Sequence, residues 1–212
     1  MPCFHPSEYE SRRKSRPTIW HTREDKRFEE TFQDYGMWFN HVIKIEDTKM
    51  ISADNLWKFL TRGAMILCAN GQEGVDIVLR VCETKRKLCR HSVTAILIQV
   101  KNAVRFTKMK GTLFDAMSPL DLGIFPDSDV PLTTPKPIIR LVLALASPEA
   151  GVVFREGKSM LGQHQDHPFT AFDIWLAGLS TNTFRQIDGD LVPYQILLRR
   201  SLRPHDALMT QL

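Results

Sequence analysis

Cysteine is scarce in this chain, with four in 212 residues: Cys3, Cys68, Cys82 and Cys89. That is too few for a disulfide scaffold, so reduced thiols in an intracellular protein, of nucleus or cytoplasm, are expected. Long apolar runs are missing too. The longest candidate, Ile138 to Ala146, spans nine residues and contains Arg140, against the roughly 20 that a membrane helix needs. The opening MPCFHPSEYESRRKSRP has no apolar core of the kind export signals carry. No Walker or Rossmann glycine pattern occurs. Ser147 and Ser180 lack the context of a nucleophile elbow. Strong charge of one sign is absent as well, since 28 Lys and Arg face 24 Asp and Glu. A membrane partner, secretion and a disulfide-held miniprotein are therefore not expected.

What is present is ordinary globular composition, 43% hydrophobic and 25% charged, enough for one domain with a sizeable core. Residues 1–24 are polar and Pro-interrupted, with a basic knot at Arg12, Arg13, Lys14 and Arg16, and read as a tail; residues 203–212 read as another. Between them, 25–202 is expected to form a single domain. Phe28, Phe32, Tyr35, Trp38, Phe39 and Val42 approximate helical spacing over 25–45. A second helix is expected over 52–68, capped by Ser52 or Asp54, with Leu56, Phe59, Leu60, Ala64 and Leu67 buried. Turn residues 69–74 precede a β-branched strand, 75–81, and a strongly apolar one, 93–100; the ten-residue loop between them suits antiparallel pairing. Residues 111–137 carry five prolines and four aspartates, with no Lys or Arg before Lys136, and read as a long loop. A third strand is expected over 138–147, with 151–154 as its extension or hairpin return. A strand or helix is expected over 169–178 and a short helix over 193–202. This order predicts an α/β or α+β fold on a mixed sheet.

Polar residues on strands this apolar need a reason, because an unpaired buried charge is costly. Alternation puts Asp76 on one face with Val78 and Arg80, and Gln99 with Lys101 on the next strand. Asp on one strand followed by Gln-x-Lys on the next resembles the PD-(D/E)XK nuclease superfamily, in its Mrr-like, restriction-endonuclease-like branch. The matching residues are Gly74, Asp76, Gln99, Val100 and Lys101. The phrases RGAMILCANGQEGVDI and AILIQVKN also resemble a group of fungal proteins. The resemblance covers about residues 50–105, with 138–147 as a continuation, in a core of about 50–147.

The resemblance implies a restriction-endonuclease-like mixed sheet flanked by helices and metal-dependent hydrolysis of nucleic acid, DNA before RNA. Its cofactor would be Mg²⁺ or Mn²⁺, held by Asp76, the Gln99 amide oxygen and the Val100 carbonyl. Lys101 would orient the attacking water and stabilise charge developing on phosphate. A further carboxylate would come from Asp54 or Glu73, with Glu29 and Glu30 as remoter candidates. The neutral Gln99 leaves a second outcome open, an inactive domain of the same fold that binds nucleic acid or a protein partner.

From Arg80 to Lys110 there are nine Lys and Arg and only one acid, Glu83. Lys85, Arg86, Lys87, Arg90 and Arg105 are the expected phosphate contacts, beside the site on both sides in sequence. A solvated loop is the ordinary outcome for such a charge run. Cys82, Cys89 and His91 match no standard zinc spacing. His164, Asp166 and His167 fit a polar turn better than a metal site. Met65, Trp57 and Trp175 read as core.

Overall fold

The fold was analysed in a computed structural model, which describes residues 23–85, 87, 89–125, 135–155, 159–160, 169–180 and 183–184. The basic knot, the histidine pair of 164–167 and the expected helix of 193–202 lie outside them. The chain divides into two compact units, Met1–Gln33 and Asp34–Leu212. The first contributes α1 (Arg23–Phe32), in which the rings of Phe28 and Phe32 lie 4.9 Å apart, one helical turn from each other.

Among the described residues the second unit holds nine strands: β1 (Tyr35–Gly36), β2 (His41–Lys44), β3 (Ala64–Leu67), β4 (Ile77–Glu83), β5 (Val93–Lys101), β6 (Lys136–Ala144), β7 (Gly151–Arg155), β8 (Ser159–Met160) and β9 (Phe169–Ala177). They form one sheet in the order β2-β3-β4-β5-β6-β9-β7, with β1 on β4 and β8 on β9. The neighbours β2/β3, β5/β6 and β6/β9 are parallel; the other pairs are antiparallel. This is the mixed-sheet α+β class that the sequence predicts, with 169–178 resolved as strand.

The helices are shorter than their periodicity suggests. The pattern of 25–45 is helical only to Phe32, and its second half forms β1 and β2. Gly36 lies against β4, where a Cβ would meet Thr84 Cγ2 at 2.8 Å. Met37, Trp38 and Phe39 are exposed, so their spacing marks no buried stripe. The expected helix of 52–68 becomes α2 (Ala53–Thr61) followed by β3. Ser52 caps it by accepting from the Asn55 amide at 3.4 Å. Gly63, at φ +66°, takes the left-handed position that ends a helix, and its amide donates to the Leu60 carbonyl.

One face of the sheet holds the core. Ile66, Val78, Ala95, Leu97, Ile138, Val142 and Trp175 alternate on it, and Leu56 and Phe59 of α2 pack against them. The Pro- and Asp-rich stretch is not simply a loop. It opens with α3 (Gly111–Asp115), and its Phe114, Met117, Ile124 and Phe125 are buried in the same core. Burying side chains of this size contributes about 1.5–3 kcal/mol each. Met65 and Trp57 are only half-buried, whereas Trp175 is fully covered.

Candidate functional site at the β4–β5 end

The β4/β5 register ends at Ile77 facing Ile98, and Asp76 lies just before β4, with its amide also on the Ile98 carbonyl, as in a β-bulge. Alternation puts Gln99 and Lys101 on the face of β5 that carries the core, but the alternation expected from Arg80 and Val78 to Asp76 breaks at the strand end, because the Asp76 amide and carbonyl bond to opposite neighbours.

Backbone contacts hold Asp76 in place from both sides. Its amide donates to the Ile98 carbonyl at 2.9 Å, and its carbonyl accepts from Cys68 at 2.8 Å. Its carboxylate continues the ladder where β4 has no further residue to offer, with Oδ2 accepting from the Val100 amide at 2.6 Å. In a strand the N–H and C=O of one residue point the same way, so the Val100 carbonyl is directed to the Asp76 side. The Cys68 thiol is pushed up to about 12, by burial first and then by the charge of Asp76.

Gln99 is buried, and its Oε1 has no hydrogen-bond partner. A buried acceptor left unpaired costs about 1–3 kcal/mol. Two strands away in the same row, Trp175 Nε1 is also buried without a partner. Lys101 is half-buried, with Nζ 5.7 Å from the centre of the Phe106 ring.

Gly74 makes the entry to β4 feasible. At φ +83° it adopts a conformation that favours glycine, and a Cβ there would lie 2.1 Å from the Ala116 carbonyl oxygen. The turn before Asp76 therefore packs backbone to backbone against the end of α3.

The expected extra carboxylates are less well placed. Asp54 is exposed in the first turn of α2, Glu73 is exposed in the turn before Gly74, and Glu29 and Glu30 are exposed on α1 in the first unit. Among the described residues no three His, Cys, Asp or Glu side chains gather, so Asp54, Glu73 and Asp76 do not make a three-carboxylate centre. Cys82 is buried and Cys89 exposed; both are free thiols.

The basic stretch divides in space. Because β4 and β5 are antiparallel, Lys85, Lys87 and the backbone of Arg90 lie at the end opposite Asp76, about 20 Å away at the usual rise per residue. The stretch does not flank the site from both sides as its sequence position suggests. Lys85 is paired there with Asp34 at 2.7 Å. Arg86 and the Arg90 side chain lie outside the described residues. Arg80 faces neither solvent nor Asp76. It is buried and donates to the carbonyls of Leu56, at 3.4 Å, and Ala64, tying α2 to β3. Burial lowers it to about 10.

Only the downstream half, with Arg105, Lys108 and Lys110, follows Lys101 at the site's own end. Phe106 and Lys110 were not among the expected contacts. The signal for them is the spacing of Lys101, Arg105 and Lys110 around one aromatic residue. The Arg140–Asp173 pair of β6 and β9, at 2.6 and 2.9 Å, was likewise not anticipated. Pairing across two strands far apart in sequence leaves no local pattern. No family model, curated protein or solved structure matches the chain.

Proposed function

We propose that the chain hydrolyses phosphodiester bonds of nucleic acid, with Asp76, Gln99 and Lys101 as the site at the end of β4 and β5. The observation that carries this reading is the Asp76 carboxylate bound to the Val100 amide, next in sequence to Gln99, whose buried Oε1 has no partner. That donor set suits a hard cation such as Mg²⁺ or Mn²⁺, which takes oxygen ligands and keeps several waters. Asp76 Oδ1, Gln99 Oε1 and the Val100 carbonyl would hold it. When bound, the metal would polarise the phosphate and make hydroxide available near neutral pH. The chain's own residues do the rest. The Val100 amide orients the Asp76 carboxylate, and Lys101 places its ammonium against developing phosphate charge. With one carboxylate and one ammonium nearby, metal affinity depends on oxygens that the substrate brings. Free thiols at Cys68, Cys82 and Cys89 suit a nuclear or cytoplasmic setting. Among the described residues no helix is long and apolar enough to cross a membrane.

One observation favours a second reading, a non-catalytic domain that binds nucleic acid. Asp76 already spends one carboxylate oxygen on the Val100 amide. A single experiment separates the two. Plasmid and single-stranded DNA are incubated with the protein in Mg²⁺, Mn²⁺ or chelator. Metal-dependent cleavage is expected. Asp76→Asn, which can still accept from Val100, should lower it by at least about 100-fold, as should Lys101→Ala. Cleavage that survives both substitutions, or chelator, would sink the proposal; binding without cleavage would establish the second reading.

A further inference from the structure

Three cations surround one ring at the site's end of the sheet. Lys101 closes β5, Arg105 and Phe106 lie in the 3-10 turn Val104–Phe106, and Lys110 precedes α3. Lys101 Nζ is 5.7 Å, Arg105 Cζ 5.0 Å and Lys110 Nζ 5.2 Å from the centre of the Phe106 ring. Arg105 and Lys110 are exposed, and Phe106 packs partly against the core.

The electrostatics of this cluster are incomplete. The ring's negative face attracts each cation, but the three repel one another across it. The ion pairs Lys85–Asp34 and Arg140–Asp173 do not involve this cluster. The following stretch, Gly111 to Pro135, contains aspartates but no Lys or Arg, so the run of basic residues ends at Lys110. Three convergent cations with no ion-pair partner among the described residues fit an anion carrying several oxygens. A phosphodiester backbone presents such groups one after another.

We infer that the Phe106 cluster is the phosphate-binding surface of this protein, and that it holds the nucleic-acid backbone at Asp76 while the Lys85–Arg90 loop does not. This rests on the reading of the chain as a nucleic-acid protein but not on its catalytic activity. Lys101 then has a phosphate contact whether or not hydrolysis follows.

The test measures binding of a fluorescent single-stranded and a duplex DNA by anisotropy, in chelator, across a range of salt. Arg105→Gln combined with Lys110→Gln is expected to weaken binding at least tenfold and to make the salt dependence shallower by about one to two phosphate contacts. Lys85→Gln combined with Lys87→Gln should stay within twofold of wild type. Phe106→Leu, which keeps the apolar packing and removes the ring, should weaken binding several-fold. Both altered positions of the first variant are exposed, and an unchanged thermal melt shows that its fold is intact. Arg105→Gln alone serves if the double variant melts early. Wild-type affinity in the Arg105/Lys110 variant, or an equal loss in the Lys85/Lys87 variant, overturns the inference even if cleavage is observed. A wild-type chain that binds neither DNA overturns it together with the nucleic-acid reading. Because chelator blocks metal-dependent hydrolysis, absence of cleavage does not affect the result.

Discussion

Lys136 illustrates how far a single side chain departs from its sequence context. It opens β6 and is 9% exposed, and its Nζ has no hydrogen-bond partner and lies 5.5 Å from the Phe125 ring centre. Burial pulls its ammonium down to about 8, with the charge of Cys89 acting weakly the other way. The folded chain therefore releases this proton near pH 8, while the unfolded chain keeps it to about 10.5. The unfolded state binds more protons in that window, so stability rises with pH there. The buried Cys68 thiol, raised to about 12, acts oppositely above its ordinary 9, because the folded chain then holds the extra proton. The net rise is thus expected between about pH 8 and 9, at most about 1.4 kcal/mol for one proton over one pH unit. Urea midpoints at pH 7, 8 and 9 would show it. Lys136→Met should abolish the rise and stabilise the protein at pH 7 by about 1–3 kcal/mol; a mutant that keeps the same pH profile would refute the assignment. Sequence could not reveal this, since a lysine at a strand start ordinarily meets water.

At the scale of elements, glycines mark where periodicity misleads. The stripe of Leu56, Phe59, Leu60, Ala64 and Leu67 looks like one helix, yet Gly63 reverses the chain and turns Ala64–Leu67 into a strand. Gly63 is the terminator of the helix. Gly74 does the same for the site, since it alone permits the approach of the 69–74 turn to Ala116. Gly74→Ala combines a left-handed φ with a backbone clash and should cost about 2–4 kcal/mol, measurable as a lowered thermal midpoint. Cleavage or DNA binding should fall with it, because Asp76 follows two residues later; an undisturbed melt would contradict the packing described. The apolar strands 93–100 and 138–147, by contrast, were legible within a few residues. Runs of Val, Ile and Leu bounded by polar turns describe a strand buried on both sides.

For the whole molecule, the parallel crossovers decide what the strands bring together. Between β5 and β6 the described residues carry α3 and Phe114 over the core. There Arg140 ties three parts of the chain into one network. It pairs with Asp173 on β9, donates to the Phe114 carbonyl at 2.8 Å and lies over that ring. Asp173→Ala would leave the guanidinium buried without its carboxylate and should cost about 3–5 kcal/mol by urea denaturation. Lys85→Ala at the exposed Lys85–Asp34 pair should cost under about 1 kcal/mol. Equal losses in the two variants would disprove this ranking.

By itself the sequence determined the mixed α+β class, the two central strands and the facing of Gln99 with Lys101 along β5. Hydrophobic alternation and antiparallel pairing are local properties that a chain carries in its order of residues. Only the tertiary structure decided which charges act at that end of the sheet. Nine basic residues between Arg80 and Lys110 are one run in sequence. Folding buries Arg80 against backbone carbonyls, carries Lys85 away along the full length of β4 and gathers Lys101, Arg105 and Lys110 around Phe106. Charge in a sequence is summed along the chain, whereas a phosphate responds to distance, and the strand between the two halves of the run sets that distance.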